Sequence, residues 1–180
     1  MKDARGPGEV SRRGFLAGGA ATIVTVALSG ATLLLDPAGA WAIELRSFTE
    51  QQARVLLQFV RDLFPHPQIA ETYYAQALQP LDDEAGRDAA AKKLLADGIE
   101  QLNRLAKAPA GKTYADVHAE DARVAAIKQM EKGPFFAKVY STTVVSLYNQ
   151  RALWPIFGYE GPSSPKGGYL HRGFNDLDWL

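Results

Sequence analysis

The three histidines, His66, His118 and His171, are the residues of this chain best suited to proton transfer near neutral pH. His171 has the richest surroundings, because Arg172 and Asp176 follow it within five residues. Side chains of these types could carry out general acid–base catalysis. The same types also form binding surfaces, and that is the interpretation we favour, because aromatic residues surround the group on both sides.

The other histidines and the aspartates near the C-terminus do not have enough suitable neighbours in the sequence to form a catalytic or metal site. His66 lies between two prolines, where a surface or capping role is typical, and the spacing of His118 and Glu120 does not define a metal site. Asp176 and Asp178 offer too few oxygen ligands for calcium. The chain has no cysteine, which excludes thiolate metal sites, cysteine-ligated iron–sulfur clusters and thioether-linked haem. We predict no catalytic residue, no metal and no cofactor-binding residue in this chain.

The N-terminal segment has the layout of a twin-arginine export signal. A polar stretch containing two adjacent arginines is followed by 20 uncharged residues, 16–35, and then by an Ala-x-Ala cleavage motif. The alternative is an uncleaved membrane anchor, because about 20 apolar residues span a bilayer. The predicted export-signal residues are Ser11, Arg12, Arg13, Phe15 and Leu16, and the predicted cleavage residues are Ala40 and Ala42.

Three regions follow from this layout: a signal peptide over 1–42, a helical domain over 43–150 and a C-terminal docking tail over 151–180. The first 42 residues hold four of the 20 basic and three of the 20 acidic residues, so the remainder has a net charge near −1. This balance does not favour nucleic acid as a partner.

Apolar residues at helical spacing predict an all-α fold, a small bundle of about five helices with an irregular tail. Thr49 and Gln52 are predicted to form a capping box at the start of the first helix, and Thr113 and Asp116 a second one at the start of a short helix. A second helix ends at Pro80, a third covers about 84–107, and the most apolar one covers 135–148. The β-branched residues in this last segment also suit a strand, but the sequence offers no second strand to pair with it.

The tail combines glycine and proline with many aromatic residues. Glycine and proline prevent a long helix, whereas Trp, Tyr, Phe and Arg dominate the binding energy of interfaces. We predict that the tail docks on another protein; the alternative is that it wraps its own bundle. The predicted interface consists of Trp154, Phe157, Tyr159, Tyr169, His171, Arg172, Phe174, Asn175, Asp176 and Trp179.

Several stretches are similar to those of a known family: the signal over 11–16, the helical opening over 48–53 that leads to Asp-Leu-Phe-Pro at 62–65, and the block over 148–176 with Phe-Gly-Tyr-Glu-Gly-Pro and Gly-Phe-Asn-Asp. In these stretches the chain resembles the small (gamma) subunits of bacterial flavin-dependent dehydrogenases. That group includes gluconate 2-dehydrogenase subunit 3 and the small subunits of sorbitol, fructose and glucose dehydrogenases.

The resemblance implies a non-catalytic subunit that escorts a separate flavoprotein through the twin-arginine export machinery and then stays bound. That flavoprotein would be a large subunit of the glucose–methanol–choline (GMC) type, which holds FAD, oxidises an alcohol or sugar and lacks its own signal. A cytochrome c subunit often completes such complexes. The implied location is the periplasm, or the periplasmic face of the inner membrane. The substrate, the stoichiometry, the presence of a cytochrome and the cleavage of the signal stay open.

Two alternatives from other functional classes also stay open. The first is a stand-alone periplasmic enzyme that uses the group around His171. The second is a helical ligand-binding domain with an apolar pocket lined by Tyr73, Tyr74 and Phe136.

Overall fold

Helices make up most of the structure, which confirms the predicted mainly helical fold. The computed structural model describes residues 24–28, 30–35, 42–109 and 111–171, with side chains for 30–34, 43–109 and 111–171. Within this part of the chain there are six α-helices. They are α1 (Glu50–Leu63), α2 (Glu71–Ala77), α3 (Gln79–Arg87), α4 (Ala89–Leu105), α5 (Glu120–Met130) and α6 (Pro134–Tyr148). Short 3-10 helices cover Tyr114–Asp116, Arg151–Phe157 and Ser164–Lys166.

The predicted capping box starts α1. The Thr49 hydroxyl accepts a hydrogen bond from the backbone N–H of Gln52 at 3.3 Å, and the Gln52 side chain accepts one from the Thr49 N–H at 2.9 Å. Both N–H groups would otherwise lack a partner at the helix end. Asp116 and Thr113 form a second box of this kind, also predicted, at the 3-10 helix Tyr114–Asp116.

The long helix predicted over 84–107 begins later than predicted, at Ala89. Pro80 does not end a helix but lies in the first turn of α3, where its missing N–H has no helical partner to lose. A break then follows Arg87, because Asp88 takes an extended backbone and accepts a hydrogen bond from the N–H of Ala90 at 2.8 Å. Asp88 is therefore the N-cap of α4.

A three-stranded antiparallel sheet precedes α1, and the sequence analysis did not predict it. Its strands are β1 (Val24–Leu28), β2 (Ala31–Leu35) and β3 (Ala42–Leu45), in that order. Thr32 lies opposite Leu45 and Leu34 opposite Ile43, and all four side chains are buried. The pair between them, at 33 and 44, faces outward, as the period of two in a strand requires. The predicted boundary between 42 and 43 falls inside β3.

The sheet and the helices share one apolar core. Leu34 and Leu45 belong to the same buried cluster as Phe59 of α1 and Phe135 of α6. The Phe59 and Phe135 rings lie 5.3 Å apart, and α1 contacts β1, β2, α2, α4 and α6. Helix α1 is therefore the central element on which the others pack.

A buried polar network joins α1 to α5. The Asp62 carboxylate accepts hydrogen bonds from Arg123 Nε at 2.8 Å and Arg123 Nη2 at 3.1 Å, and from the Tyr114 hydroxyl. Gln58 adds a fourth bond, at 3.0 Å. Burial, together with the bond to Asp62, raises the pKa of Tyr114, so its hydroxyl stays protonated as a donor. The network fixes the loop around Tyr114 between the two helices.

Candidate functional site

The predicted docking tail begins against the end of α6. The Trp154 indole Nε1 donates a hydrogen bond to the carbonyl oxygen of Tyr148 at 3.0 Å. Its ring packs edge-on against Tyr159, with 5.2 Å between ring centroids, and the guanidinium of Arg151 lies 5.8 Å from the Trp154 ring. This part of the tail wraps its own bundle, which is the alternative that the sequence left open.

Phe157 is anchored in the same way, but by a residue that the sequence analysis did not assign to the interface. The ring of Phe157 lies 5.1 Å from that of His66 and 5.4 Å from that of Tyr148. His66 Nε2 and the Tyr148 hydroxyl are 2.6 Å apart, and the tautomer of His66 decides which group donates. Burial raises the pKa of Tyr148, so the phenol is neutral. His66 therefore links the loop after α1 to the tail.

The aromatic contacts continue along α6. Phe64 stacks on Tyr140 at 5.4 Å and meets Tyr148 at 6.0 Å, and Phe136 stacks on Tyr140 at 5.6 Å. Together with His66 and Phe157, these residues form one row of contacting rings, the aromatic strip, defined as Phe64, His66, Phe136, Tyr140, Tyr148 and Phe157. Tyr140 is 44% exposed and Phe157 39% exposed, so the strip reaches solvent.

Helix α6 is apolar on more than one side. Phe135, Val139 and Leu147 face the core, whereas Tyr140 and Val145 face outward, Val145 with 58% of its surface exposed. A helix that is apolar around its circumference is typical of an element with contacts on both sides. The apolar character of this helix was predicted, but its outer face was not assigned to the interface. The apolar composition of α6 is the sequence signal from which its outer face could have been assigned to the interface.

The outer part of the tail is open to solvent. Tyr159, Tyr169 and His171 are exposed, as are Ile156 and Leu170, which were not predicted. Of the predicted interface residues, Arg172, Phe174, Asn175, Asp176 and Trp179 lie outside the described residues. So do the export-signal residues Ser11, Arg12, Arg13, Phe15 and Leu16, and Ala40 of the cleavage motif. The backbone of Ala42 is the first position of β3.

The residues of the predicted ligand pocket take part in packing. Tyr74 is buried, and its hydroxyl donates to the carbonyl oxygen of Phe64 at 2.6 Å. Phe136 packs edge-on against Phe59 as well as on Tyr140. An open groove of about 340 Å³ lies instead on the tail, between Arg151, Trp154 and Tyr159.

Neither a metal cluster nor a membrane span is found in the described part of the chain. Its side chains include no group of three His, Cys, Asp or Glu residues placed to hold a metal ion. Its helices include none that is both long and apolar enough to cross a bilayer. The outer side of α6 and the tail offer exposed apolar and aromatic contact area at Tyr140, Val145, Phe157 and Tyr159, which suits binding to another protein surface.

Comparisons with known proteins give no further guide to function: no family model, no curated protein and no solved structure matches this chain significantly.

Proposed function

We propose that this chain is the non-catalytic small subunit of an exported FAD-dependent dehydrogenase. In this proposal it captures a folded GMC-type flavoprotein, carries it through the twin-arginine export machinery and stays bound as a stabilising subunit. FAD belongs to the partner, and a cytochrome c subunit is a possible third member of the complex. The complex works in the periplasm or on the periplasmic face of the inner membrane.

The observation that carries the proposal is the solvent-facing apolar surface on α6 and the tail. Tyr140, Val145 and Phe157 are each at least 39% exposed although α6 already packs on the core. Large exposed apolar surfaces mark interaction sites in soluble proteins. The twin-arginine layout at Arg12 and Arg13 supports a partner that crosses a membrane in the folded state.

The interface would combine two parts of the chain. Trp154 and Phe157 are held in place by the bundle, so their exposed edges are preorganised and lose little conformational freedom on binding. Tyr159 packs on Trp154 and is exposed, and Tyr169 is a further exposed aromatic residue of the tail. A permanent complex of this kind would bury on the order of 2,000 Å² or more.

The first experiment recovers the tagged chain from its native periplasm and records the absorption spectrum of the eluate. We expect a larger companion protein with flavin bands. A colourless monomer would contradict the proposal and would favour the ligand-binding and stand-alone enzyme alternatives.

A matched pair of variants tests the surface itself. Val145→Asp places a charge in the exposed face of α6, and we expect partner binding to weaken by at least about tenfold, because a desolvated charge would lie in an apolar interface. Ala125→Asp makes the same change of charge at an exposed position of α5 and is expected to bind normally. Equal binding by both variants would show that α6 is not the interface.

Export is tested separately. When Arg12→Lys and Arg13→Lys are combined, we expect the flavoprotein to stay in the cytoplasm with its FAD bound. An unchanged periplasmic level of the flavoprotein would show that this chain is not the escort.

A further inference from the structure

Strand β2 lies in a site formed by the edge of β3, the Phe48 carbonyl group and the apolar core; this site is called the slot below. The Thr32 hydroxyl donates a hydrogen bond to the carbonyl oxygen of Phe48 at 2.7 Å, and the Leu34 side chain is fully buried in the core. Both face inward, opposite Leu45 and Ile43 of β3. The slot therefore accepts an extended segment that carries a small hydroxyl residue and, two positions later, a large aliphatic residue.

The residues that fill this slot are also part of the predicted export signal. The uncharged run over 16–35 contains both β1 and β2, and the predicted cleavage after Ala42 separates them from β3. One segment cannot be paired with β3 and engaged by the export machinery at the same time. Export and cleavage therefore both empty the slot.

An empty slot is unfavourable. The edge of β3 that pairs with β2 would expose unpaired backbone N–H and C=O groups, and the buried side chains of Ile43 and Leu45 would face water. Such an edge readily pairs with a strand from another chain. A second copy cannot supply that strand, because its own residues 31–35 leave by the same export step.

We propose that the slot on β3 is the binding site for an extended strand of the flavoprotein partner, which displaces β2 when it docks. This inference rests on the proposed function and deepens it. Docking of the partner and release of residues 24–35 for export are then one event, so that the free chain holds part of its signal in the sheet. The partner strand carries the same inward pattern as Thr32 and Leu34.

A reversible disulfide tests the displacement in the full chain. Leu33 and Glu44 are register partners that face outward, and partners in an antiparallel pair lie about 4.5–5.5 Å apart between Cα atoms, within the range that a disulfide bridges. Because the chain has no cysteine, Leu33→Cys combined with Glu44→Cys creates a single possible bridge. Oxidation locks β2 onto β3, and reduction frees it.

The probe is the FAD-loaded flavoprotein recovered from the wild-type complex, and the readout is flavin absorbance that co-elutes with the chain. We expect the oxidised variant to bind at least about tenfold more weakly than the reduced variant, which should bind like the wild type. Leu33→Ser combined with Glu44→Ser is the control and should bind equally under both redox conditions. Equal binding by the locked and reduced forms would overturn the strand site and leave the proposed function intact.

If neither the wild type nor the reduced variant binds the flavoprotein, the proposed function fails and this inference falls with it. A peptide of residues 30–35 gives a second readout. We expect it to compete with the flavoprotein for the reduced variant, and the same peptide with Leu34→Asp not to compete. Lack of competition by the first peptide, or a flavin-free dimer of the reduced variant, would overturn the strand site.

Discussion

Gly98 shows at the scale of one residue why a poor helix former stands in the middle of α4. A Cβ atom built on Gly98 would lie 2.7 Å from the Cβ of Phe135 and still closer to its ring, so the ring occupies the space that any side chain would need. Phe135 in turn packs on Phe59 at the centre of the core. The glycine therefore permits the close approach of α4 and α6, which outweighs its cost in helix propensity.

Gly98→Ala should destabilise the protein. Helix propensity favours alanine by about 1 kcal/mol, but overpacking against Phe135 costs about 1–3 kcal/mol and is severe here because a Cβ atom, not a flexible chain end, is the obstacle. We expect a net loss of about 1–2 kcal/mol in the free energy of unfolding, measured by chemical denaturation.

The control for Gly98→Ala is the same change in a Phe135→Gly background. There the ring and the Cβ atom of residue 135 are both absent, so the alanine should stabilise by up to about 1 kcal/mol relative to Phe135→Gly alone. A stabilising effect in both backgrounds would show that the contact between α4 and α6 is not tight at this position.

At the scale of elements, the largest expected loss of stability comes from disrupting the Asp62 network. Asp62→Ala leaves the guanidinium of Arg123 without its carboxylate in a site where both side chains are at most 13% exposed. Removing one member of a buried pair typically costs about 3–5 kcal/mol. The control Asp97→Ala breaks a pair whose members are 76% and 60% exposed, and should cost at most about 1 kcal/mol. Similar losses for the two variants in urea denaturation would argue that the network is solvent-accessible.

The second capping box gives a pH dependence. The Asp116 carboxylate accepts hydrogen bonds from the Thr113 N–H at 2.8 Å and the Thr113 hydroxyl at 2.9 Å, and from Arg54 at 3.1 Å. The first of these is the main cause that lowers the pKa of Asp116 below its ordinary value of 3.8. A lowered pKa means that the folded state favours the ionised form. Its contribution is present above pH 4 and is lost as the pH falls through the folded-state pKa.

Asp116→Asn should therefore make the free energy of unfolding depend less on pH in the acidic range. We expect the wild type to lose more free energy of unfolding than the variant between pH 5 and about pH 2.5, with the difference between them shrinking as the pH falls. Denaturation at a series of pH values measures this. Parallel curves would mean that Asp116 has the same pKa in the folded and unfolded states.

Local signals predicted part of this architecture. The boxes at Thr49 and Thr113 were legible because the bonds join residues only three positions apart. The break at Asp88 was not predicted, because an Asp favours an N-cap but also occurs inside helices, and only the fold selects one role. The outward face of α6 and the role of His66 were also missed, since both depend on contacts between distant segments.

The sheet was missed for a different physical reason. An uncharged run rich in small residues reads as a signal, and the three consecutive leucines at 33–35 hide the alternation that marks a half-buried strand. The pattern emerges only when Thr32 and Leu34 are seen to face Leu45 and Ile43. Long-range pairing of this kind is weakly specified by local composition.

At the scale of the whole molecule, β2, β3 and the helical body share one core, so removal of the residues before β3 would change the stability of the rest. Leu34 contributes to the same buried cluster as residues of α1 and α6. A chain that starts at Ile43 lacks this side chain and the bond from Thr32 to Phe48. Cleavage after Ala42 would therefore yield a protein that is incomplete until another segment covers β3.

A chain over 43–180 should be less stable than the full chain by about 3 kcal/mol. Full burial of a leucine side chain is worth about 1.5–3 kcal/mol, and a buried hydrogen bond contributes about 1 kcal/mol. The matched control is a chain over 30–180, which keeps β2 and should retain most of the stability. Chemical denaturation of the two truncated chains and the full chain measures the difference.

If the two truncated chains unfold at the same denaturant concentration, β2 does not contribute to the core and β3 needs no substitute strand. If the flavoprotein stabilises the chain over 43–180 more than the chain over 30–180, the partner supplies the missing cover, because binding at α6 and the tail alone would stabilise both chains equally.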